Sequence, residues 1–152
     1  LVSELDFQKK NTFQLRGQEY FELVLTGLNL VASFGEKGFS TGDLVRFDSQ
    51  NNIWFMGRSK ESVRGIPVAL LEEPLERLPG ISRLALIEKT NRIVAFVEGT
   101  SREVLGDSTR ERMNDHFHHW GLHDVEIRFL KRIPVDQRHR WKIQRHQLRD
   151  LI

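Results

Sequence analysis

Apolar and polar positions alternate along most of this chain, and only three short stretches carry a helical repeat. Tyr20-Phe21-Glu22-Leu23-Val24-Leu25-Thr26 is dense in strand formers. Leu44-Val45-Arg46-Phe47-Asp48 alternates apolar with polar, the pattern of a half-buried strand. Ile53-Trp54-Phe55-Met56 is short and apolar, and Asp48-Ser49-Gln50-Asn51-Asn52 before it is turn chemistry, because Asn and Asp tolerate left-handed backbone and bond their own main chain. The spacing therefore predicts a β-hairpin over 41–58. Its geometry brings Gly42-Asp43 and Gly57-Arg58 to one end and sets Asp43 beside Arg58. Residues 1–18 are polar and weakly patterned; Phe7, Phe13 and Leu15 allow a strand there. Gly27, Gly35 and Gly38 mark turns in the connection that follows Thr26.

Beyond Lys60 the pattern changes. Residues 61–68 read as a short two-stranded excursion turning near Gly65. Leu70, Leu71, Leu75 and Leu78 give 69–78 a helical spacing, closed by Pro79-Gly80. Pro74 favours a start at Glu73, with the proline in the first turn. Two strands, 81–87 and 92–98, flank a Thr90-Asn91 turn. Ser101 is the expected cap of a helix with Val104, Met113, Phe117 and Trp120 on its apolar side and Gly121 at its end. Residues 124–130 alternate again, and 144–151 form a last short helix. The result is an α+β chain: a hairpin-rich β portion over 1–59, then a compact three-stranded sheet flanked by helices over 60–152.

The chain has 152 residues, 39% hydrophobic and 29% charged, with a net charge of +2. No apolar run approaches the ~18 residues of a membrane span, and a cytoplasmic protein is expected. The absence of cysteine excludes disulfides and thiolate metal sites. The first residues, Leu1-Val2-Ser3-Glu4-Leu5-Asp6, show neither an initiating Met nor a signal-peptide pattern and read as the cut end of a longer chain.

Charge is uneven. Over 131–149 the basic residues are Lys131, Arg132, Arg138, Arg140, Lys142, Arg145 and Arg149, against the single acid Asp136. A solvated basic surface and an anion-binding one both fit that run. Arg138-His139-Arg140-Trp141-Lys142 mixes cations with one ring, as single-strand nucleic-acid binders do. With one aromatic and no nucleic-acid motif elsewhere, that partner ranks second. His119 and His123 stand at i and i+4, but Gly121 breaks a helix between them and no carboxylate spacing completes a ligand set. No metal site is assigned.

Thr41-Gly42-Asp43, then Gly57-Arg58-Ser59-Lys60, then Pro134-Val135-Asp136-x-Arg138-His139-x-x-Lys142-Ile143-x-Arg145 follow the order and approximate spacing of the adenylate-forming superfamily. That superfamily holds acyl- and aryl-CoA synthetases, peptide-synthetase adenylation domains and luciferases. The resemblance spans about 20–151, and it implies the end of a large-domain β-barrel over 1–59 and the small mobile C-terminal domain over 60–152. By that resemblance Asp43 and Arg58 contact the ribose and phosphate of ATP or AMP, Lys60 is the hinge and Lys142 is the catalytic lysine. The chain resembles the C-terminal portion of an ATP-dependent carboxylic-acid ligase that forms an acyl-adenylate and passes the acyl group to CoA or to the phosphopantetheine of a carrier protein. Fatty-acid metabolism is one setting this implies. The family's phosphate loop, acyl pocket and Mg site do not appear in these residues, so the stretch alone is expected to be inactive.

The chain departs from the pattern in two places. The loop after the hinge is shortened, with Leu70-Leu71-Glu72 or Glu72-Glu73-Pro74 where the family carries Glu-Ile-Glu. The Pro134–Lys142 run is longer than usual, which resembles ligases of olefin and β-lactone biosynthesis, whose acceptor is a carrier protein or the substrate's own hydroxyl. The alternative from another class is a non-catalytic α+β module that binds a carrier protein or nucleic acid through its basic C-terminus.

Overall fold

The computed structural model describes residues 6–26, 38–99, 106–138 and 142–152. The chain forms two compact units, Leu1–Glu61 and Ser62–Ile152.

The first unit is one antiparallel sheet of four strands in the order β1-β2-β3-β4: β1 (Asp6–Leu15), β2 (Gln18–Thr26), β3 (Phe39–Phe47) and β4 (Ile53–Arg58). Among the described residues it is open, with no pairing of β1 to β4. β1 is longer than its sequence pattern suggests. Most of its side chains are exposed, so the strand is held by backbone pairing with β2 and leaves no hydrophobic signature. Phe21 and Val45 are buried opposite each other on β2 and β3, and Phe47 packs against both Phe21 and Phe7. Asp48 closes the β3–β4 turn by accepting hydrogen bonds from the Gln50 and Asn52 N–H groups and from Trp54 Nε1. Gly27 and Gly35 lie outside the described residues.

In the second unit, β5 (Ser62–Val63) and β6 (Ile66–Pro67) form the expected two-stranded excursion around Gly65. Helix α1 (Val68–Glu76) follows directly. It starts five residues before Glu73, and Pro74 lies in its last turn, which corrects the expected start. The buried face explains the difference: Val68, Leu71, Glu72 and Leu75 recur at helical spacing, and a start at Glu73 would lose three of them. Pro74 forfeits one backbone bond, that to the Leu70 carbonyl, a local cost that the helix bears for its buried face.

The three-stranded sheet runs β7 (Ile81–Lys89), β8 (Arg92–Gly99) and β9 (Val125–Leu130). β7 and β8 are antiparallel around Thr90-Asn91, both at positive φ, and β9 joins β8 in parallel. Helix α2 (Asp107–His119) connects β8 to β9, with Gly106 at its N-cap and Gly121 just past its end; Ser101 and Val104 lie outside the described residues. Met113 and Phe117 form its buried face. On one side of the sheet, Ala85, Ile87, Val94 and Phe96 pack with Ile133 and with Leu148 of helix α3 (Arg145–Arg149) in a fully buried cluster. No described helix is long and apolar enough to cross a membrane.

Candidate functional site

The hairpin predicted from turn chemistry forms, and it pairs Asp43 with Arg58. Gly42 takes φ +72°, a left-handed conformation that a residue with a Cβ adopts only at a cost. That turn bends β3 where its register with β4 shifts, between Asp43 and Val45. Thr41 secures the bend. Its hydroxyl donates to the Leu23 carbonyl at 2.9 Å and accepts the Asp43 N–H at 3.0 Å. The Arg58 guanidinium donates to Asp43 Oδ1 at 2.7 Å and to the Thr41 carbonyl at 2.8 Å. The Ser59 N–H closes the other side on the Gly42 carbonyl at 2.9 Å. Half the Arg58 side chain and 29% of Asp43 are exposed, so the pair is reachable from solvent. A carboxylate next to a planar cation offers acceptors for paired hydroxyls and donors for a phosphate.

Lys60 sits in the turn that leaves β4. It lines an open cleft of about 590 Å³ together with Lys10, Glu22, Ser40, Thr41 and Arg58. Glu22, read from its pattern as one position of a strand, is not among the residues singled out above. It is 8% exposed, yet it holds a charge: it accepts hydrogen bonds from Ser40 Oγ and from Asn11 Nδ2, the latter at 3.0 Å. The Ser40 bond, foremost, then those from Asn11 and Ser59 and the charge of Lys10, hold its carboxyl below the usual glutamate range against the effect of burial. A lone acid between apolar residues of a strand was the available signal.

In the second unit, Lys142 is exposed on the return arm of a loop. The loop is closed by the Val135–Ile143 bridge, by the Asp136 N–H on the Lys142 carbonyl at 2.8 Å and by the Gln144 N–H on the Pro134 carbonyl at 2.9 Å. His139, Arg140 and Trp141 lie outside the described residues. Arg145, three residues on, is anchored deeply: its Nη1 and Nη2 donate to Glu72 Oε1 and Oε2 at 2.8 and 2.7 Å. Glu72 Oε1 also accepts the Leu86 N–H at 2.7 Å, and Glu76 accepts the Leu84 N–H at 3.1 Å. The two carboxylates of α1 thus satisfy the outer edge of β7, which would otherwise present unpaired donors. Burial pushes the Glu72 carboxyl up, opposed by Arg145 and the Leu86 N–H. The His118 and His123 rings lie 5.1 Å apart, tilted by 39°, and among the described residues no group of three His, Asp or Glu side chains is placed to hold a metal ion.

No family model matches the chain, and no curated protein does. Solved structures match it along almost its whole length. It is similar to the anthranilate CoA ligase AuaEII, solved with anthranoyl-AMP, at a TM-score of 0.68 and 21% identity over 98% of this chain and 32% of that one. It is similar to acetoacetyl-CoA synthetase from Streptomyces lividans, with a TM-score of 0.69 and 20% identity over 91% of this chain and 25% of that one. The amide bond synthetase McbA from Marinactinospora thermotolerans gives 0.69 and 17% over 97% and 35%. The resemblance read from the three motifs is thereby shown at the level of the fold. The chain spans a quarter to about a third of the length of these structures.

Proposed function

We propose that this chain is the C-terminal portion of an ATP-dependent carboxylic-acid ligase: the end of its nucleotide-binding domain, followed by the small domain that carries the lysine of adenylate formation. The observation that carries the reading is the Asp43–Arg58 pair at the open end of the β3–β4 hairpin, away from the Asp48 turn, in a fold shared with ligases of which one was solved around an acyl-adenylate. The boundary falls at Ser59–Lys60. Asp43 accepts the two ribose hydroxyls of ATP or AMP, and Arg58 turns part of its fork toward ribose or phosphate. Lys142, on an exposed arm braced by the Val135–Ile143 bridge, brings an ammonium to the substrate carboxylate and the α-phosphate as negative charge builds there, which lowers the barrier electrostatically. Lys60 acts through its backbone torsions as the pivot between the two half-reactions: acid plus ATP to acyl-adenylate and pyrophosphate, then transfer to the acceptor.

The structural neighbours include a CoA ligase, an acetoacetyl-CoA synthetase and an amide bond synthetase, which supports a variable acceptor for the fold. CoA, a carrier-protein phosphopantetheine and, on the Pro134–Lys142 departure, the substrate's own hydroxyl are the candidates here. The stretch alone adenylates nothing, because the acyl pocket lies elsewhere in such enzymes. A non-catalytic module working through its basic C-terminus is less well supported, since Arg145 of that run is committed to Glu72.

Titrating AMP into the isotope-labelled chain tests the reading. The largest amide shifts are expected at Gly42, Asp43, Arg58 and Ser59, and they should vanish in Asp43→Ala. Millimolar AMP that leaves those amides unmoved contradicts the assignment.

A further inference from the structure

Glu22 is the buried charge that the account above does not use. Its carboxylate gathers donors from three separate parts of the first unit. Asn11 comes from the irregularity in β1, at φ 50°, where the register to β2 shifts. Ser40 comes from β3, two residues before Gly42. The Ser59 side chain comes from the turn that leaves β4. Lys10, beside Asn11, contributes charge from the cleft rim, which Lys60 and the carboxylate of Glu61 also line. A carboxylate is suited to this task because it accepts several hydrogen bonds and donates none, so every neighbour must turn a donor inward.

Two of these three contacts flank the candidate site directly. Ser40 precedes Thr41, whose hydroxyl holds the Asp43 N–H and whose carbonyl holds Arg58. Ser59 follows Arg58, and its N–H is bound to the Gly42 carbonyl. One buried carboxylate therefore bonds the segment that presents Asp43 and lines one cleft with Ser59, the residue between Arg58 and Lys60.

We propose that Glu22 is a positioning residue: by binding Ser40 and Asn11 and facing Ser59 across the cleft it sets the Asp43–Arg58 separation that a nucleotide requires and steadies the end from which the Lys60 segment departs. The inference rests on the ligase reading. Glu22 touches no substrate and acts only through the two segments it joins.

The test compares variants of the full-length enzyme by acid-dependent exchange of pyrophosphate into ATP, with amide hydrogen exchange as a second readout. Glu22→Gln keeps the volume but turns a donor toward donors. It should raise the KM for ATP by about tenfold, in line with the cost of a small misplacement at a site, leave the KM for the acid unchanged, and speed exchange at the Ser59 amide but not at β7 or β8. Glu22→Asp, which keeps the charge, should recover part of the loss. If Glu22→Gln does not fold, Ser40→Ala removes one donor, leaves the carboxylate in place and should shift the same KM in the same direction. A fall in thermal stability with the KM for ATP unaltered would overturn the inference and leave Glu22 a purely structural acid. Asp43→Asn separates the two levels of the argument: if that variant too binds ATP normally, the ligase reading of the hairpin fails, and the role of Glu22 fails with it.

Discussion

Glu72 and Arg145 lie 73 residues apart and meet in a two-point ion pair that joins the first helix of the second unit to the segment just after Lys142. Only 10% of the Glu72 side chain and 15% of Arg145 reach solvent. A pair so enclosed loses hydration from both ions, and its merit is geometric more than energetic. It fixes where the C-terminal helix docks and thereby where the Lys142 arm begins.

Breaking that pair on one side should be costly. Arg145→Met leaves Glu72 buried without its cation and is expected to destabilise the chain by about 3–5 kcal/mol, whereas Glu72→Met with Arg145→Met should recover most of the loss. Urea unfolding of the two single variants and the double variant measures the coupling. Additive losses would show that the two side chains do not depend on each other.

Asp43→Asn should do the opposite, sparing the fold while removing the site. The Asp43–Arg58 pair is half exposed on the arginine side, and such pairs contribute under about 1 kcal/mol. Losing a charged acceptor for ribose should weaken nucleotide binding about tenfold or more. Calorimetric AMP affinity alongside the unfolding midpoint separates the two effects. A large stability loss with AMP affinity intact would make Asp43 structural.

The Glu22 carboxyl is held below its ordinary value of 4.5, first by Ser40 and then, against burial, by Asn11, Lys10 and Ser59. On acidification the unfolded chain takes up its proton first, so this contribution to stability is complete above about pH 4.5 and is lost as pH falls through the lower folded-state value. Unfolding free energy measured from pH 6 downward should therefore fall less steeply in Glu22→Gln than in the wild type. Identical slopes would mean that Glu22 is not the group responsible.

The β7–β8 turn carries a local conflict. Thr90 stands at φ 49° and Asn91 at φ 65°, a geometry that favours Asn and Gly and strains a β-branched residue. Thr90→Asn is expected to raise stability by about 0.5–1 kcal/mol. An unchanged or lowered thermal midpoint contradicts that.

Much of this architecture was legible from pattern alone, and the gaps have physical causes. The Asp43–Arg58 encounter followed from turn residues between two apolar runs, because a two-stranded hairpin leaves only one register that buries one face. Lys60 and Lys142 are singled out by the family resemblance alone, and their roles are proposals. The sequence pattern sets the start of α1 too late because a proline is best tolerated in a first turn, while the buried face of Val68, Leu71 and Leu75 decides the matter globally. Glu22 and Glu72 were missed as anchors for a common reason. Each is an acid on a half-apolar element, and its partners, Ser40 and Ser59 for one and Arg145 for the other, arrive only through tertiary pairing. Glu72 was visible as the remnant of a motif, but its role depends on an arginine 73 residues later.

The central claim is that Lys142 carries out adenylate formation with the nucleotide held at Asp43 and Arg58. Acid-dependent exchange of pyrophosphate into ATP, measured on the full-length enzyme and on Lys142→Ala, addresses it most directly. Exchange should be present in the wild type for a cognate carboxylic acid and fall by about two orders of magnitude or more in the variant. Exchange that persists undiminished in Lys142→Ala would contradict the account.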